Sequence, residues 1–345
     1  MARKILWASL ALAPLTVLVD LAFHPGDVAL FVLASIALVP LAWLIGEATE
    51  QASHHTGPGI GGFLNATFGN APELIISLFA IADGLTEVVR GSLTGSVVGN
   101  LLLVLGFSLL FGGRGAVDRE SSITSLVLVA VATLLFLVPS IPGWSGDPER
   151  RSLAYVSLPV SILLLVVYVA VTWISLRRHR TLHAGMAPGV EAWSLKMSVA
   201  VLAVATVLTA LIAEILVGSI ETFAHEAGLT DFFVAAVIVA IVGNAAEHGG
   251  AVVVAYRGNV RLAAEIALAS SAQVAVFLIP AVALLAWAIE PLSLAFRPVE
   301  LVVVGLATVV AAALLADGRS SRAHGVVLIA AYCAAAVAFF VAGDR

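Results

Sequence analysis

Eleven apolar stretches follow one another along this chain, separated by short polar connections. They lie at about 5–23, 27–46, 59–83, 88–111, 121–139, 153–175, 194–219, 231–256, 260–288, 299–316 and 322–342. A helix needs about 20 mostly apolar residues to cross the hydrocarbon core of a bilayer. Lipid offers no hydrogen bonds to bare backbone, so only helices and closed barrels span it. The short alternating strands of a barrel are missing from the sequence. The expectation is an all-α polytopic membrane protein of eleven transmembrane helices. Hydrophobic residues make up 61% of the chain and charged residues 11%, whereas about a quarter of a soluble chain is charged. A net charge of −5 leaves no basic surface for nucleic acid. The single cysteine, Cys333, excludes an intramolecular disulfide and a cysteine metal cage, and reads as a packing residue. Met1–Lys4 and the apolar run after it have the outline of a signal peptide. Asp20 and the Phe-His-Pro ending leave no small-residue cleavage site, so a retained first helix is expected.

Lys and Arg collect on the cytoplasmic side of membrane helices. With the N-terminus inside, twelve of the 17 basic residues fall at inner ends and five (Arg90, Arg150, Arg151, Arg297 and Arg345) at outer ends. That asymmetry favours a cytoplasmic N-terminus and an outer C-terminus, as an odd helix count requires. The longest connection, Arg177–Trp193, is basic, contains Gly and Pro, and reads as a cytoplasmic joint between two halves.

Within this apolar frame one string occurs twice: Gly69-Asn70-Ala71-Pro72-Glu73 and Gly243-Asn244-Ala245-Ala246-Glu247. Each places a carboxylate inside a stretch apolar enough to cross a bilayer, where an uncompensated charge costs several kcal/mol, roughly. The match extends outwards. Glu50 is followed seven residues later by Gly57, and Glu221 seven residues later by Gly228. Beyond the glutamates come small polar patches, Gly95-Ser96-Val97-Val98-Gly99-Asn100 in one half and Ser270-Ser271-Ala272-Gln273 in the other. With the first helix (1–23) left over, five helices (24–176) match five more (194–345) across the joint 177–193. Five is odd, so the two copies lie in opposite orientations, the inverted-repeat plan of secondary transporters with a site near the bilayer midplane.

Two facing carboxylates near the midplane suit a hard divalent cation, which takes oxygen from carboxylates, carbonyls and waters. Gly69-Asn70 and Gly243-Asn244 open the helix, so that backbone carbonyls and the Asn side chains add oxygens. Pro72 removes a helical N–H and frees a carbonyl one turn earlier. Without a cation, two close carboxylates in a dry cavity cannot both stay charged and take up protons. The pair therefore binds either a cation or protons, as exchange requires. Gln273, Asn100, Ser96, Ser270 and Ser271 are candidates for the same cavity, although such residues in membrane helices also serve as helix-to-helix glue. His248 relays protons or, the favoured role, orients Glu247. Glu50, Glu214 and Glu221 read as solvated carboxylates near the surfaces, and His54-His55 as a wetted loop.

Asn65–Ile76, with its Gly-Asn-Ala-Pro-Glu core, and Ile241–His248 resemble the two signature repeats of the calcium/proton exchanger family, a branch of the cation/calcium antiporters. Gly95–Gly106 and Ser270–Gln273 resemble its supporting stretches. The resemblance runs from about Gly46 to Pro280. It implies an extra first helix plus two inverted five-helix repeats, and proton-driven Ca²⁺ export with Glu73 and Glu247 as metal ligands. It implies no cofactor; Ca²⁺ is the transported substrate, and the partners are Ca²⁺, protons and the lipid bilayer. Asn70, Asn244, Ser96 and Gln273 match positions lining the family's pathway. The expected location is the cell membrane of a prokaryote. The family often carries an acidic segment between its halves, whereas Arg177–Trp193 is basic, so regulation by an acidic stretch is not expected.

Two alternatives compete. A Na⁺/Ca²⁺ exchanger needs extra small oxygen ligands, typically Ser or Thr beside each acid; here those places hold Asn70, Ala71, Asn244 and Ala245, which favours proton coupling. An intramembrane metalloenzyme would call for a His-Glu-x-x-His string or repeated His boxes, which the eight histidines do not form.

Overall fold

The computed structural model describes residues 2–23, 25–179 and 193–343, almost all of them helical. In the first half of the chain lie α1 (Ala2–Ser9), α2 (Leu12–Phe23), α3 (Asp27–Gly69), α4 (Ala71–Ala82), α5 (Thr86–Val98), α6 (Leu105–Gly112), α7 (Arg119–Gly143) and α8 (Arg151–His179). The second half holds α9 (Leu195–Gly218), α10 (Ile220–Ala227), α11 (Asp231–Phe233), α12 (Ala240–Gly243), α13 (Ala245–Tyr256), α14 (Val260–Gln273), α15 (Ile279–Leu285), α16 (Pro298–Leu315) and α17 (Arg322–Ala342). Wider π-helical turns at Gly99–Val104, Val234–Val239 and Val274–Leu278 join neighbouring helices. Two short strands, β1 (Gly115–Ala116) and β2 (Arg319–Ser320), pair antiparallel with Gly115 opposite Ser320.

Helix starts follow the local chemistry. Asp118, Ser194, Asn259 and Ser321 each accept the backbone N–H three residues on, at 3.1–3.2 Å, closing a donor that the first turn leaves over. Among the described residues nine helical stretches are long and apolar enough to cross a membrane, or ten if the pair Ile220–Ala227 and Asp231–Gly243, bent by 109°, counts as one span. The shortfall from the expected eleven lies at 59–83 and 231–256. Each is interrupted in its middle, at Asn70 and Asn244, so neither runs as one continuous helix.

Two expectations need correction. Helix α3 does not stop near residue 46; it runs unbroken to Gly69, about 65 Å at 1.5 Å per residue. The Gly57-Pro58 pair inside it does not end the helix. A proline inside a helix forfeits one hydrogen bond, yet the helical backbone continues through it to Gly69. Accordingly His54 and His55 lie on a helix and not in a loop, and Glu50 projects from its exposed side, as Glu214 does from α9 and Glu221 from α10. Cys333 is exposed on the outward face of α17 and is not a packing residue.

Helix α3 is tied to α10 near its start and to Trp193, just before α9, further along. At the first tie, Asp27 Oδ2 accepts from Thr222 Oγ1 at 2.7 Å and the Phe31 and Phe223 rings stack at 4.1 Å. At the second, Trp193 N–H donates to Gln51 Oε1 (3.1 Å) and the Trp193 carbonyl meets His55 Nε2 (2.7 Å), with the Trp7 ring beside both Trp43 and Trp193. The joint Arg177–Trp193 otherwise lies outside the described residues, except for the backbone of α8 as far as His179. Large apolar side chains such as Phe23, Leu134, Trp173 and Val341 point outwards. That is the arrangement of a chain whose solvent is lipid, while its polar groups gather inside.

Candidate functional site

Each repeated string ends one helix and starts another at its asparagine. Asn70 (φ −100°, ψ 19°) separates α3 from α4, and Asn244 (φ −89°, ψ 6°) separates α12 from α13. Both sit in the sparsely allowed bridge region of backbone space. Glu73 and Glu247 are thereby the third residues of α4 and α13. They occupy first turns whose unpaired N–H groups favour a carboxylate. An apolar span thus loses its backbone closure halfway along and places an acid where donors are left over.

The two breaks face one another. A methyl group on Gly243 would lie 3.3 Å from Glu73 Cγ and 3.5 Å from its Oε1; one on Gly69 would lie 3.7 Å from Glu247 Oε1. Each carboxylate rests against the glycine that opens the other string.

A hydrogen-bonded network surrounds the breaks. Asn244 Nδ2 donates to Ser96 Oγ at 2.8 Å and to the Ala240 carbonyl at 2.9 Å. Asn100 Nδ2 donates to Asn244 Oδ1 at 3.3 Å and to Ser270 Oγ at 3.2 Å. Ser270 Oγ in turn donates to Glu247 Oε2. Ser96 and Ser270 each lie twenty-three residues beyond their string's glutamate, but Ser96 accepts from Asn244 of the other string and Ser270 donates to Glu247 of its own. Asn70 is buried at the first break.

Not every residue singled out in the sequence joins this network. Gln273 pairs with the Tyr168 hydroxyl of α8. Ser271 bonds back to the Ala267 carbonyl of its own helix. His248 Nε2 is buried with no hydrogen-bond partner among the described residues, and Glu247 receives its hydrogen bond from Ser270. Glu50 and Glu221 stay on exposed faces. Three features went unnoticed in the sequence. Tyr168 gave no signal, being one aromatic in an apolar helix. The π-helical turns, which often mark functional positions, contain Asn100, adjoin Gln273 and precede Gly243. Ser77 had a signal, a hydroxyl one turn after Glu73 on the same helix face.

Chemically, the centre is rich in oxygen, and several of its polar atoms are bare. Among the described residues Glu73 Oε2, Asn100 Oδ1 and Ser77 Oγ are buried without hydrogen-bond partners. Such groups cost about 1–3 kcal/mol each when left bare, a cost that a cation or a proton removes. No three His, Cys, Asp or Glu side chains among the described residues form a metal-binding group. A cation held here would therefore draw on amide, hydroxyl and backbone oxygens besides the two carboxylates.

The apolar rim, the broken spans and this buried polar centre define a multi-pass integral membrane protein. Its sequence matches the profile of the family described as "Sodium/calcium exchanger protein" over residues 27–177 and 197–341, and the chain belongs to that family. Among its relatives are a "Ca(2+)/H(+) antiporter" of Synechocystis sp., 37% identical over 91% of each chain, and the "Ca(2+)/H(+) antiporter ChaA" of Bacillus subtilis. The latter is 38% identical over 95% of this chain and 96% of that one. The solved structure "Structure of native YfkE" superposes with a TM-score of 0.84 at 36% identity, over 98% of this chain and 99% of that one. These relatives are transporters, not enzymes, and their names imply no cofactor.

Proposed function

We propose that this chain is a secondary antiporter that exchanges Ca²⁺ for protons across a membrane by alternating access. The relatives named as Ca²⁺/H⁺ antiporters support the exchanged pair, and the mutual seating of Glu73 on Gly243 and Glu247 on Gly69 carries the choice of site. Glu73 and Glu247 are the ligands of a cation and alternatively the acceptors of protons. Asn70, Asn244, Ser96, Asn100 and Ser270 line the same centre, Gly69 and Gly243 leave it room, and Gln273 with Tyr168 bounds it. A carboxylate that holds a proton is neutral and a poor ligand for a hard cation. Ca²⁺ therefore binds by displacing protons, and one site serves both ions in turn. Glu73 Oε2 has no hydrogen-bond partner among the described residues, whereas Glu247 is steadied by Ser270.

In the same reading, one leading helix (1–23) precedes two inverted five-helix repeats (24–176 and 194–345) joined by the cytoplasmic stretch 177–193, eleven helices in all. The broken stretches 59–83 and 231–256 are equivalent members of the two repeats, and their asparagine breaks lie at the midplane. The N-terminus faces the cytoplasm of a prokaryotic cell.

The deciding experiment is ⁴⁵Ca²⁺ uptake into vesicles containing the purified protein, driven by an imposed pH gradient, with Mn²⁺ and Mg²⁺ as competitors and Na⁺ replaced by an impermeant cation. Uptake that collapses with the proton gradient and persists without Na⁺ is expected; uptake that requires Na⁺ would overturn proton coupling. Orientation is tested by cysteines at Asp147 and Asp317 in a Cys333→Ala background. An impermeant reagent should reach the first from outside intact cells and not the second, and the reverse pattern would refute it.

A further inference from the structure

Helix α5, which delivers Ser96 to the centre and leads directly into Asn100, is held on three sides. The first carries Arg90 and Thr94, one turn apart. Arg90, 1% exposed, donates to Glu149 Oε1 (2.5 Å), Glu87 Oε1 (2.8 Å), Thr86 Oγ1 (3.2 Å) and the Ser293 carbonyl (3.4 Å). Thr94 Oγ1 donates to Glu300 Oε1 at 3.0 Å. Glu300, also 1% exposed, accepts the Arg297 backbone N–H through Oε2 at 2.7 Å. Arg297 closes the cluster: its Nε lies 3.7 Å from Glu87 Oε2 and from Glu300 Oε2, and its guanidinium sits over the Phe232 ring. The second side carries Gly91 and Gly95, again one turn apart, where methyl groups would lie 2.9 Å from the Phe232 carbonyl oxygen and 2.0 Å from that of Ala236. Here two backbones touch. The third carries Ser96 and Asn100, which hold Asn244 and Ser270.

These sides do different work. Backbone packed on a glycine stripe fixes a distance and leaves rotation and sliding cheap, because no knob enters a hole. Directional bonds fix both. The charged cluster is costly to bury, and apolar residues of similar volume often stabilise at least as well. Its bonds to α5 come from Glu149, Ser293 and Glu300, on parts of the chain distant from α5 in sequence. Thr94 precedes Ser96 by only two residues, about 3 Å along the helix. A shift at Thr94 therefore moves Ser96 by nearly the same amount.

We propose that Thr94, Arg90 and Glu300 are positioning residues for the exchange site: the outer-end charge cluster sets the rotation and depth of α5, and so the meeting of Ser96 and Asn100 with Asn244 and Ser270. The proposal rests on the reading of Glu73 and Glu247 as the ion site.

The test is a double-mutant cycle. Thr94→Val keeps the shape of the side chain and removes its hydrogen bond. It should raise the Ca²⁺ KM for exchange about fivefold, the weight of one buried hydrogen bond, with the maximal rate changed less than about twofold. Thr94→Ser should restore the KM. In a Ser96→Ala background Thr94→Val should add nothing further, because the group it positions is gone. Losses that multiply would overturn the proposal, and so would a fall in melting temperature with KM unchanged. A second measurement needs no cation: amide hydrogen exchange across Val97–Val104 should quicken in Thr94→Val and return to wild type in Thr94→Ser. Unchanged exchange there refutes the positioning role by itself. Quickened exchange in Thr94→Val, together with Ca²⁺ uptake that survives Glu73→Gln and Glu247→Gln, would refute the ion-site reading and leave the positioning of α5 standing.

Discussion

Adding one methyl group at each of the two facing glycines should produce unequal effects, and the structure sets the order. In Gly243→Ala the new carbon lies 3.3 Å from Glu73 Cγ and 3.5 Å from Cδ and Oε1; in Gly69→Ala it lies 3.7 Å from Glu247 Oε1. The second distance is ordinary van der Waals contact. The first is a few tenths of an ångström too short against a methylene near the root of the side chain, which cannot swing away as a carboxylate tip can. Glu73 must leave its rotamer, at about 0.5–1.5 kcal/mol, or about 2- to 12-fold in apparent Ca²⁺ affinity. Gly69→Ala should change affinity less than about twofold. Neither glycine has a positive φ, and both lie at helix C-termini. The alanines themselves should therefore not unfold the protein, and the lower helix cost of Ala, by up to about 1 kcal/mol, favours them. The assay is proton-driven ⁴⁵Ca²⁺ uptake across a range of Ca²⁺ concentrations, with melting temperature as the control. If Gly69→Ala proved as damaging as Gly243→Ala, the seating of Glu73 against Gly243 would not govern cation affinity.

Glu73→Gln and Glu247→Gln should each abolish exchange while the protein still inserts and purifies as a folded species; substantial Ca²⁺ flux in either would break the shared-site reading. If one pair of carboxylates serves both ions, as proposed, Ca²⁺ binding should release protons and weaken as pH falls. Calorimetry in buffers of different ionisation enthalpy counts those protons, and zero release near neutral pH would move proton coupling elsewhere. Asp118, outside the spans, accepts the Ser121 N–H and pairs with Arg261, which holds its carboxyl below the ordinary carboxylate range, the Ser121 bond contributing most. Its stabilisation is therefore present above about pH 4 and lost as pH falls through the depressed folded value. Asp118→Ala should cost about 1 kcal/mol at neutral pH, and the gap in melting temperature should close in strong acid; a gap constant with pH would refute the ionic cap.

Hydropathy located the helices well wherever a span is bounded by chemistry. Residues 119–143, 195–218, 298–315 and 322–342 begin and end within a few residues of expectation, and several start at an Asp or Ser that caps them. Hydropathy said nothing of the breaks at Asn70 and Asn244, because one residue in the bridge region leaves the apolar pattern untouched. The string repeat located them instead. Hydropathy also separated 27–46 from 59–83, whereas α3 runs through the polar stretch between them to Gly69. The π-helical turns were not legible, since an extra residue absorbed in a helix has no compositional mark. Counting charges placed Arg90 and Arg297 at the outer surface. They are buried beside Glu149 and Glu300, which bond Arg90 and Thr94 of α5 across 59 and 206 residues; no local pattern encodes those two pairings, although Glu87 and Glu300 stand three residues from Arg90 and Arg297.

The repeat explains why two acids meet, and the departures from it explain why they are not equivalent. Both strings supply the same break, the same third-position glutamate and the same hydroxyl twenty-three residues on. Yet Ser270 donates to Glu247, while Ser96 accepts from Asn244 and leaves Glu73 Oε2 bare. Asn100 makes the difference: it ties Ser270 to Asn244, and its equivalent after the second string is Val274, which has no polar atom to return the favour. A pair of identical, equally solvated carboxylates would have no reason to take up an ion at one member first. In the proposed site Glu247 already accepts from Ser270 while Glu73 Oε2 has no hydrogen-bond partner among the described residues, so the two acids offer an arriving cation or proton different surroundings. In the proposed function the repeated string supplies both acids, and the differences between their neighbours make the two unequal.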